Sequence, residues 1–549
     1  MRVDQAIGQH LAAAGVSHVF GVVGSGNFHV TNALSQSGAR FVAARHEGGA
    51  ATMADAFARM SGEVGVLSVH QGCGLTNAVT GIAEAAKSRT PVLVLAPQAV
   101  LRHSNFWIEQ QQLAAAVGAV ARTVTSAQTA VAEALAAFHE ARDQRRTVLL
   151  NLPIDILAEE IAGDGQYAAR LTSGTSPVEP DADAVQALAD LLLAARKPVF
   201  VAGRGSRGKR GAEALTALAA EVGALVGTSA VANGLFARNP WSLGIVGGFS
   251  TPDVADLVHG ADLIVGWGCA LNMWTMRAGK LISEEATVVQ VDLEPEALGA
   301  HRAIDLGVVG DVAATAAAVR AHLASRPTQP REGYRTADVA ARIAAGGHWT
   351  NVPVEDERTG DRIDPRVLSR ALDAALPDDR VVAVDSGNFM GYPAAYLKVP
   401  DEDAFCFTQA FQSIGLGLAT GIGAALAQPQ RLPVVACGDG GFLMGVSELE
   451  TVVRLRLPMV IVVYNDAGYG AEVHHFGPDG HELDTVTFPD VDIASLARSL
   501  GCEAATVREA RDLDIVTTWL AGPRDRPLVI DAKTSQDLAA WWLVEAFGH

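Results

Sequence analysis

The chain has little cysteine, few aromatic residues and no run of positive charge. Five cysteines (Cys73, Cys269, Cys406, Cys437 and Cys502) stand far apart in 549 residues. That pattern excludes a disulfide framework and a paired CxxC metal site, and makes a reducing cytoplasm the expected compartment. Lysine and arginine number 42 against 61 acids, for a formal net charge of −19. A surface of that sign repels a phosphate backbone, and the basic pieces are as short as RGKR at 207–210, so no nucleic-acid partner is expected. Also missing is an uninterrupted apolar stretch of the ~18 residues that would cross a bilayer. The opening MRVDQAIGQHLAAAGVSHVF carries charges at positions 2 and 4. It reads as an amphipathic helix entering a strand, and neither a signal peptide nor a membrane partner is expected.

Glycine, by contrast, is plentiful at 55, and the chain is 49% apolar. This composition suits an α/β protein with tight loops and close backbone approaches. The length exceeds what one hydrophobic core supports, so several domains are predicted. Strands HVFGVV, EVGVLSV, TPVLVLA and RTVLLNLP alternate with alanine-rich helical stretches in residues 1–165, the βαβ rhythm of a parallel sheet. After the breaker-rich GDGQYAARLTSGTSPVEPDADA, the rhythm returns over 183–325 with KPVFVAG, ADLIVGWG and ATVVQVDL. After SRPTQPREG it returns again over 361–545 with VVAVDSG, LPVVACGDG, LPMVIVVYN and RPLVIDA. Three successive doubly wound parallel-sheet domains are expected.

In the third unit the strand PVVAC turns at Asp439 on Gly438, Gly440 and Gly441, where open parallel sheets bind ligands. Amides freed by glycine can approach a phosphate, but an aspartate there repels it unless a cation lies between, which points to a metal-bridged phosphate. The following SELE, with Ser447 and Glu450, is predicted to be a helix capping box. The next strand ends at Asn465 and Asp466, and one strand, helix and strand bring both loops to the same sheet edge.

GDG followed by this Asn-Asp pair, in the third of three α/β units, resembles the thiamine-diphosphate motif. The chain resembles the superfamily of pyruvate decarboxylase, benzoylformate decarboxylase and acetolactate synthase over essentially its whole length. The resemblance implies a pyrimidine-binding, a middle and a diphosphate-binding domain, with thiamine diphosphate and Mg²⁺ as cofactors. It makes Glu47 of ARHEGGAA the carboxylate that holds the aminopyrimidine nitrogen, so that the cofactor generates its own base. Ile414 of FQSIGLGLATGIGAAL takes the place of the apolar side chain beneath the cofactor, and Ser386 and Asn388 of DSGN the place of diphosphate donors. Asp439, Asp466 and the Gly468 carbonyl are the implied metal ligands, with Asn465 as the alternative to Asp466. Tyr469 and Gly470 carry the chain around the diphosphate.

Ser25, in a glycine turn, and His70, at a strand end, are placed around Glu47 as in benzoylformate decarboxylase. Glu472 matches a pocket glutamate of pyruvate decarboxylase, and His475 falls one helical turn along the same face. The implied reaction is decarboxylation of a small-molecule 2-oxo acid, or transfer of its acyl anion equivalent to an aldehyde or ketone acceptor. An acetolactate-synthase-like catalytic subunit is the alternative, and a catalytically silent cofactor-binding subunit the third reading. GCALNMWTMR departs from the segment that flavin-binding relatives carry, so FAD is possible without being predicted. Because Glu47 and Asp439 belong to different domains that face each other between chains in this family, a homodimer or homotetramer is implied.

Overall fold

The computed structural model describes residues 1–161, 177–326 and 331–547. Much of the first breaker-rich stretch and the middle of the second lie outside the described residues. Three six-stranded sheets follow one another along the chain, and every pairing within them is parallel. The first contains β1 (His18–Gly21), β2 (Arg40–Ala43), β3 (Gly65–Ser68), β4 (Val92–Gln98), β5 (Val120–Thr123) and β6 (Thr147–Pro153). Its order is β2-β1-β3-β4-β6-β5. The second contains β7 (Pro198–Ala202), β8 (Leu225–Thr228), β9 (Ser242–Ile245), β10 (Leu263–Trp267), β11 (Thr287–Asp292) and β12 (Leu306–Val309). Its order, β12-β11-β10-β7-β8-β9, is that of dinucleotide-binding folds. The third contains β13 (Arg380–Val384), β14 (Phe405–Phe407), β15 (Leu432–Gly438), β16 (Val460–Asn465), β17 (Glu503–Val507) and β18 (Leu528–Lys533). Its order, β14-β13-β15-β16-β18-β17, repeats that of the first sheet strand for strand.

The central strands read as continuous apolar runs because helices cover both faces, and all six residues of β16 are buried. The first and third units share a core. The helix Glu47–Ser61 after β2 packs on the helix Gly417–Ala427 after β14. Met53, Ala56 and Phe57 join Leu418, Ile422 and Val435 in one apolar cluster. Gly417–Ala427 is buried along nearly all its length, as its unbroken apolar sequence requires. The approach is close: a Cβ on Gly423 would lie 2.4 Å from the Met53 carbonyl oxygen. The glycines at 203 and 205, after β7, also serve packing, since a Cβ on either would enter the backbone of Gly268 or Cys269. Among the described residues no helix is long and apolar enough to cross a membrane.

Candidate active site

In the third sheet β14 and β15 flank β13 on opposite sides, so the loops after β13 and β15 open a crevice at the switch point. Asp439, directly after β15, is buried beside Asp466, directly after β16. Burial pushes both carboxyls above their usual range, and the negative charge of Asp439 pushes Asp466 further. One oxygen of Asp439 and the Asn388 side-chain oxygen are buried without a partner among the described residues. Two apposed acids, with one carboxylate oxygen and a neighbouring amide oxygen left without partners, fit a divalent cation, which would replace mutual repulsion by shared attraction. No group of three or more His, Cys, Asp or Glu side chains suited to a metal occurs among the described residues. A hard cation here would therefore complete its shell with amide, carbonyl, phosphate and water oxygens.

Alternation at the end of β16 separates the neighbouring pair. Asn465 donates to Asp531 at 2.9 Å and accepts from the Ala467 amide at 3.1 Å. That bond supports Ala467 at a φ of 56°, a conformation costly for a residue with a Cβ. Asn465 is thus engaged in holding the turn, and Asp466 is the member that faces Asp439. Tyr469 N bonds to Val486 O and Phe488 N to Ala467 O, which leaves the Gly468 carbonyl outside this short ladder. Gly470 must lack a side chain, because a Cβ would come within 2.2 Å of Asp466 and 2.9 Å of Asn388. Gly440 is similarly required beneath the Tyr469 ring.

Asp385, at the end of β13, is fully buried and accepts from the amides of Ser386, Gly415 and Leu416 at 2.9, 3.0 and 3.1 Å. Burial pushes its carboxyl up to about 6 against the pull of those amides. It ties the loop carrying Ser386 and Asn388 to the segment carrying Ile414. Ser386 donates to Gln409 at 3.0 Å. Ile414 is only partly buried and belongs to no core cluster, while Gln412 just before it takes a left-handed φ of 58°.

The equivalent crevice of the first sheet lies between the loops after β1 and β3. The exposed Ser25 sits in the first loop and His70 in the second; the Gly26 amide donates to His70 Nδ1 at 3.3 Å, and Gly24 packs on the ring. Burial lowers the His70 pKa, and nearby Glu47 partly opposes this. Glu47 opens its helix half-exposed and accepts from Asn77 at 3.0 Å. Ser25, His70 and Glu47 are therefore brought together, as are Asn388, Asp439, Asp466 and Gly470. Among the described residues no hydrogen bond or ion pair joins Glu47 to either aspartate. Exposed apolar side chains border both groups: Val23, Phe28 and Phe106 near Ser25 and His70, and Phe411 and Met444 near Ile414.

The helix Gly470–Phe476 begins where the spacing predicts. Glu472 is exposed, His475 is half-buried with its ring 4.6 Å from that of Phe476, and burial lowers the pKa of the neighbouring His474.

The predicted capping box is corrected. Ser447 has helical φ and ψ and caps nothing, while Glu450 pairs with Arg45 and Arg454. The neighbouring Glu448, which sequence reasoning missed, is buried and accepts from the amides of Arg45 and His46, both at 3.0 Å, just before Glu47. Glu84 was missed as well. It accepts from the amides of Ala410 and Phe411 at 3.0 and 2.6 Å and pairs at 2.8 Å with the buried Arg59, which also pairs with Asp55. Asp385 had a visible signal, an acid at a strand end with a glycine two residues on, much as Asp439 directly precedes Gly440.

Comparison with known proteins agrees with this architecture. The sequence matches the N-terminal TPP binding domain of thiamine pyrophosphate enzymes over residues 1–117, their central domain over 185–319 and their C-terminal TPP binding domain over 385–532. It is 28% identical to a sulfoacetaldehyde acetyltransferase of Castellaniella defragrans, over 93% of this chain and 89% of that one. It is 30% identical to the "Probable 2-ketoarginine decarboxylase AruI" of Pseudomonas aeruginosa, over 94% and 90%. It is also 30% identical to a catabolic acetolactate synthase of Raoultella terrigena, over 95% of each chain. With three matched domains, three parallel sheets in succession and relatives aligned almost end to end, the chain belongs to the thiamine-pyrophosphate-dependent enzymes.

Proposed function

We propose that this enzyme decarboxylates a 2-oxo acid and passes the acyl anion equivalent either to a proton or to a carbonyl acceptor. The observation that carries the reading is the apposed Asp439 and Asp466 pair, whose orphaned oxygen and raised pKa values fit Mg²⁺ at a diphosphate. Asp439, Asp466 and the Gly468 carbonyl would hold the metal. The amides around Gly438, Gly440 and Gly441, with Ser386, Asn388, Tyr469 and Gly470, would seat the diphosphate. Thiamine diphosphate, when bound, supplies the nucleophilic carbon and the sink for the electrons released with carbon dioxide. Ile414 would prop the cofactor, and Glu47 would hold a proton at its aminopyrimidine ring.

His70, whose neutral ring burial favours, can give or take a proton beside Ser25, and Glu472 and His475 offer the same chemistry from the other unit. A half-exposed Glu47 and the apolar rims around both groups support completion of the site in a homo-oligomer, dimer or tetramer.

Purified protein with Mg²⁺ and thiamine diphosphate, assayed against a panel of 2-oxo acids with and without aldehyde acceptors, tests the proposal. Carbon dioxide release with an aldehyde or hydroxyketone product is expected. Acetolactate as the main product from pyruvate would transfer the enzyme to the acetolactate synthases. Tight cofactor binding with no turnover of any acid would make it a silent subunit.

A further inference from the structure

The second sheet carries a feature that the cofactor chemistry leaves unused. At the starts of β8 and β9, away from the strand ends where a dinucleotide would sit, there is an open cavity of about 390 Å³. That is within the range of small-molecule sites. Its floor is Leu235 and Phe236, both buried; Thr216 on the helix Lys209–Val222 forms one wall, and Arg238, Trp241 and Arg335 form the others. Among the described residues no acid lines it.

Arg335 is the informative group. Its Nε donates to the Ala224 carbonyl at 2.8 Å, and its guanidinium carbon lies 5.7 Å from the centre of the Trp241 ring. Its Nη2 is sealed from water with no hydrogen-bond partner among the described residues. Burial lowers the Arg335 pKa, and among the described residues no carboxylate offsets it. A guanidinium remains charged in any protein and presents five donors in a plane that matches carboxylate or phosphate oxygens. Arg335 as a whole is only half-buried and borders the cavity, so an acceptor would arrive there on the side of the guanidinium away from the sealed Nη2.

We propose that this cavity binds a small organic anion. Its carboxylate or phosphate would be held between Arg335 and Arg238, and its flat or apolar body would rest on Trp241, Leu235 and Phe236. The site lies in the middle unit and stands independently of the reaction assigned above.

The test uses the full-length protein saturated with Mg²⁺ and thiamine diphosphate, so that the diphosphate loops are filled. Calorimetric titrations with AMP, inorganic phosphate and benzoate separate a phosphate ligand from a carboxylate one. Binding of AMP and phosphate, or of benzoate, is expected, weakened roughly tenfold or more by Arg335→Gln and severalfold by the exposed Arg238→Gln. Thr216→Trp, which fills the cavity from its solvent side, should abolish binding while leaving 2-oxo acid turnover unchanged. Should Arg335→Gln fail to fold, the other two variants decide. The proposal is overturned if none of the three probes binds at about 10 mM, or if binding survives both Arg238→Gln and Thr216→Trp.

Discussion

The first and third sheets have the same strand order, and their equivalent helices pack on each other, yet their loops carry opposite chemistry. In the third, buried acids crowd the crevice: Asp385, Asp439 and Asp466. In the first, the crevice holds Ser25, His70 and a half-exposed Glu47. The correspondence extends to the supports. Glu84, on the helix after β3, holds the loop after β14; Glu448, on the helix after β15, holds the loop after β2. Each unit thus reaches across with one buried glutamate to fix the loop that leads to the residue of the other unit proposed to face the cofactor, Ile414 or Glu47. A duplicated scaffold can be given two tasks by changing a few loop residues while the reciprocal clamps are kept.

The sharpest break in the comparison is Glu47→Gln. If the first unit supplies proton chemistry and the third supplies the anchor, turnover and exchange of the cofactor's acidic proton should fall about 10²- to 10⁴-fold. Cofactor affinity, measured by calorimetry, should change little. Equal loss of affinity would show that Glu47 belongs to the anchor.

Next in size is Glu84→Gln. Removing one acid from the buried Asp55, Arg59 and Glu84 triad should cost about 3 to 5 kcal/mol, read as a lowered denaturation midpoint. Burial raises the Glu84 pKa, but Arg59 and the amides of Ala410 and Phe411 outweigh it and hold the carboxyl below its usual range. A carboxyl depressed in the folded state contributes stability that is present above its unfolded pKa and lost as pH falls through the folded value. Wild-type stability should therefore decline in acid, and Glu84→Gln should flatten that part of the profile.

Much of this architecture is legible locally. An apolar run ending in Gly and Asp marks a strand that opens onto a crevice, so the loops at Asp439, Asp466 and Ser386 can be read without a structure. The clamps cannot. Glu84 is one acid in an alanine-rich helix, and its partner amide at Ala410 is 326 residues away. Ser447 and Glu450 have capping-box spacing, and the helix starts where that box needs, but Ser447 is already helical and makes no cap bond, and Glu448 turns to the other domain instead. Asn465 and Asp466 differ in role only because strand alternation sends their side chains to opposite sides. Local pattern names the loops, and long-range packing decides which of their neighbours hold them.

Gly423→Ala probes the seam between the two units. The added carbon would sit 2.4 Å from the Met53 carbonyl and 2.8 Å from Ala56, and both lie in the buried middle of the helix Glu47–Ser61, which has little room to retreat. Overpacking of this kind should cost about 1 to 3 kcal/mol of stability by denaturant titration. Gly501→Ala, on the edge of the third unit at a φ of 98°, would separate seam packing from simple backbone strain.

The smallest expected effect is Glu448→Gln, and its contrast with Glu84→Gln is the finest test of the comparison. Glu448 has no buried cation beside it. Burial raises its pKa, while Thr451 and the amides of His46 and Arg45 pull it down without prevailing. A carboxyl raised in the folded state contributes stability that is fully present below its unfolded pKa and lost as pH rises through the folded value, the reverse of Glu84. Glutamine keeps an acceptor for the Arg45 and His46 amides and removes a charge that burial penalises, so the cost at neutral pH should be no more than about 1 kcal/mol. In the variant, stability should fall less between acid and neutral pH than in the wild type. If Glu448→Gln proved as damaging as Glu84→Gln, with the same loss in acid, the two clamps would share one electrostatic design, and the difference between a support paired with a buried cation and one held by amides and a hydroxyl would disappear.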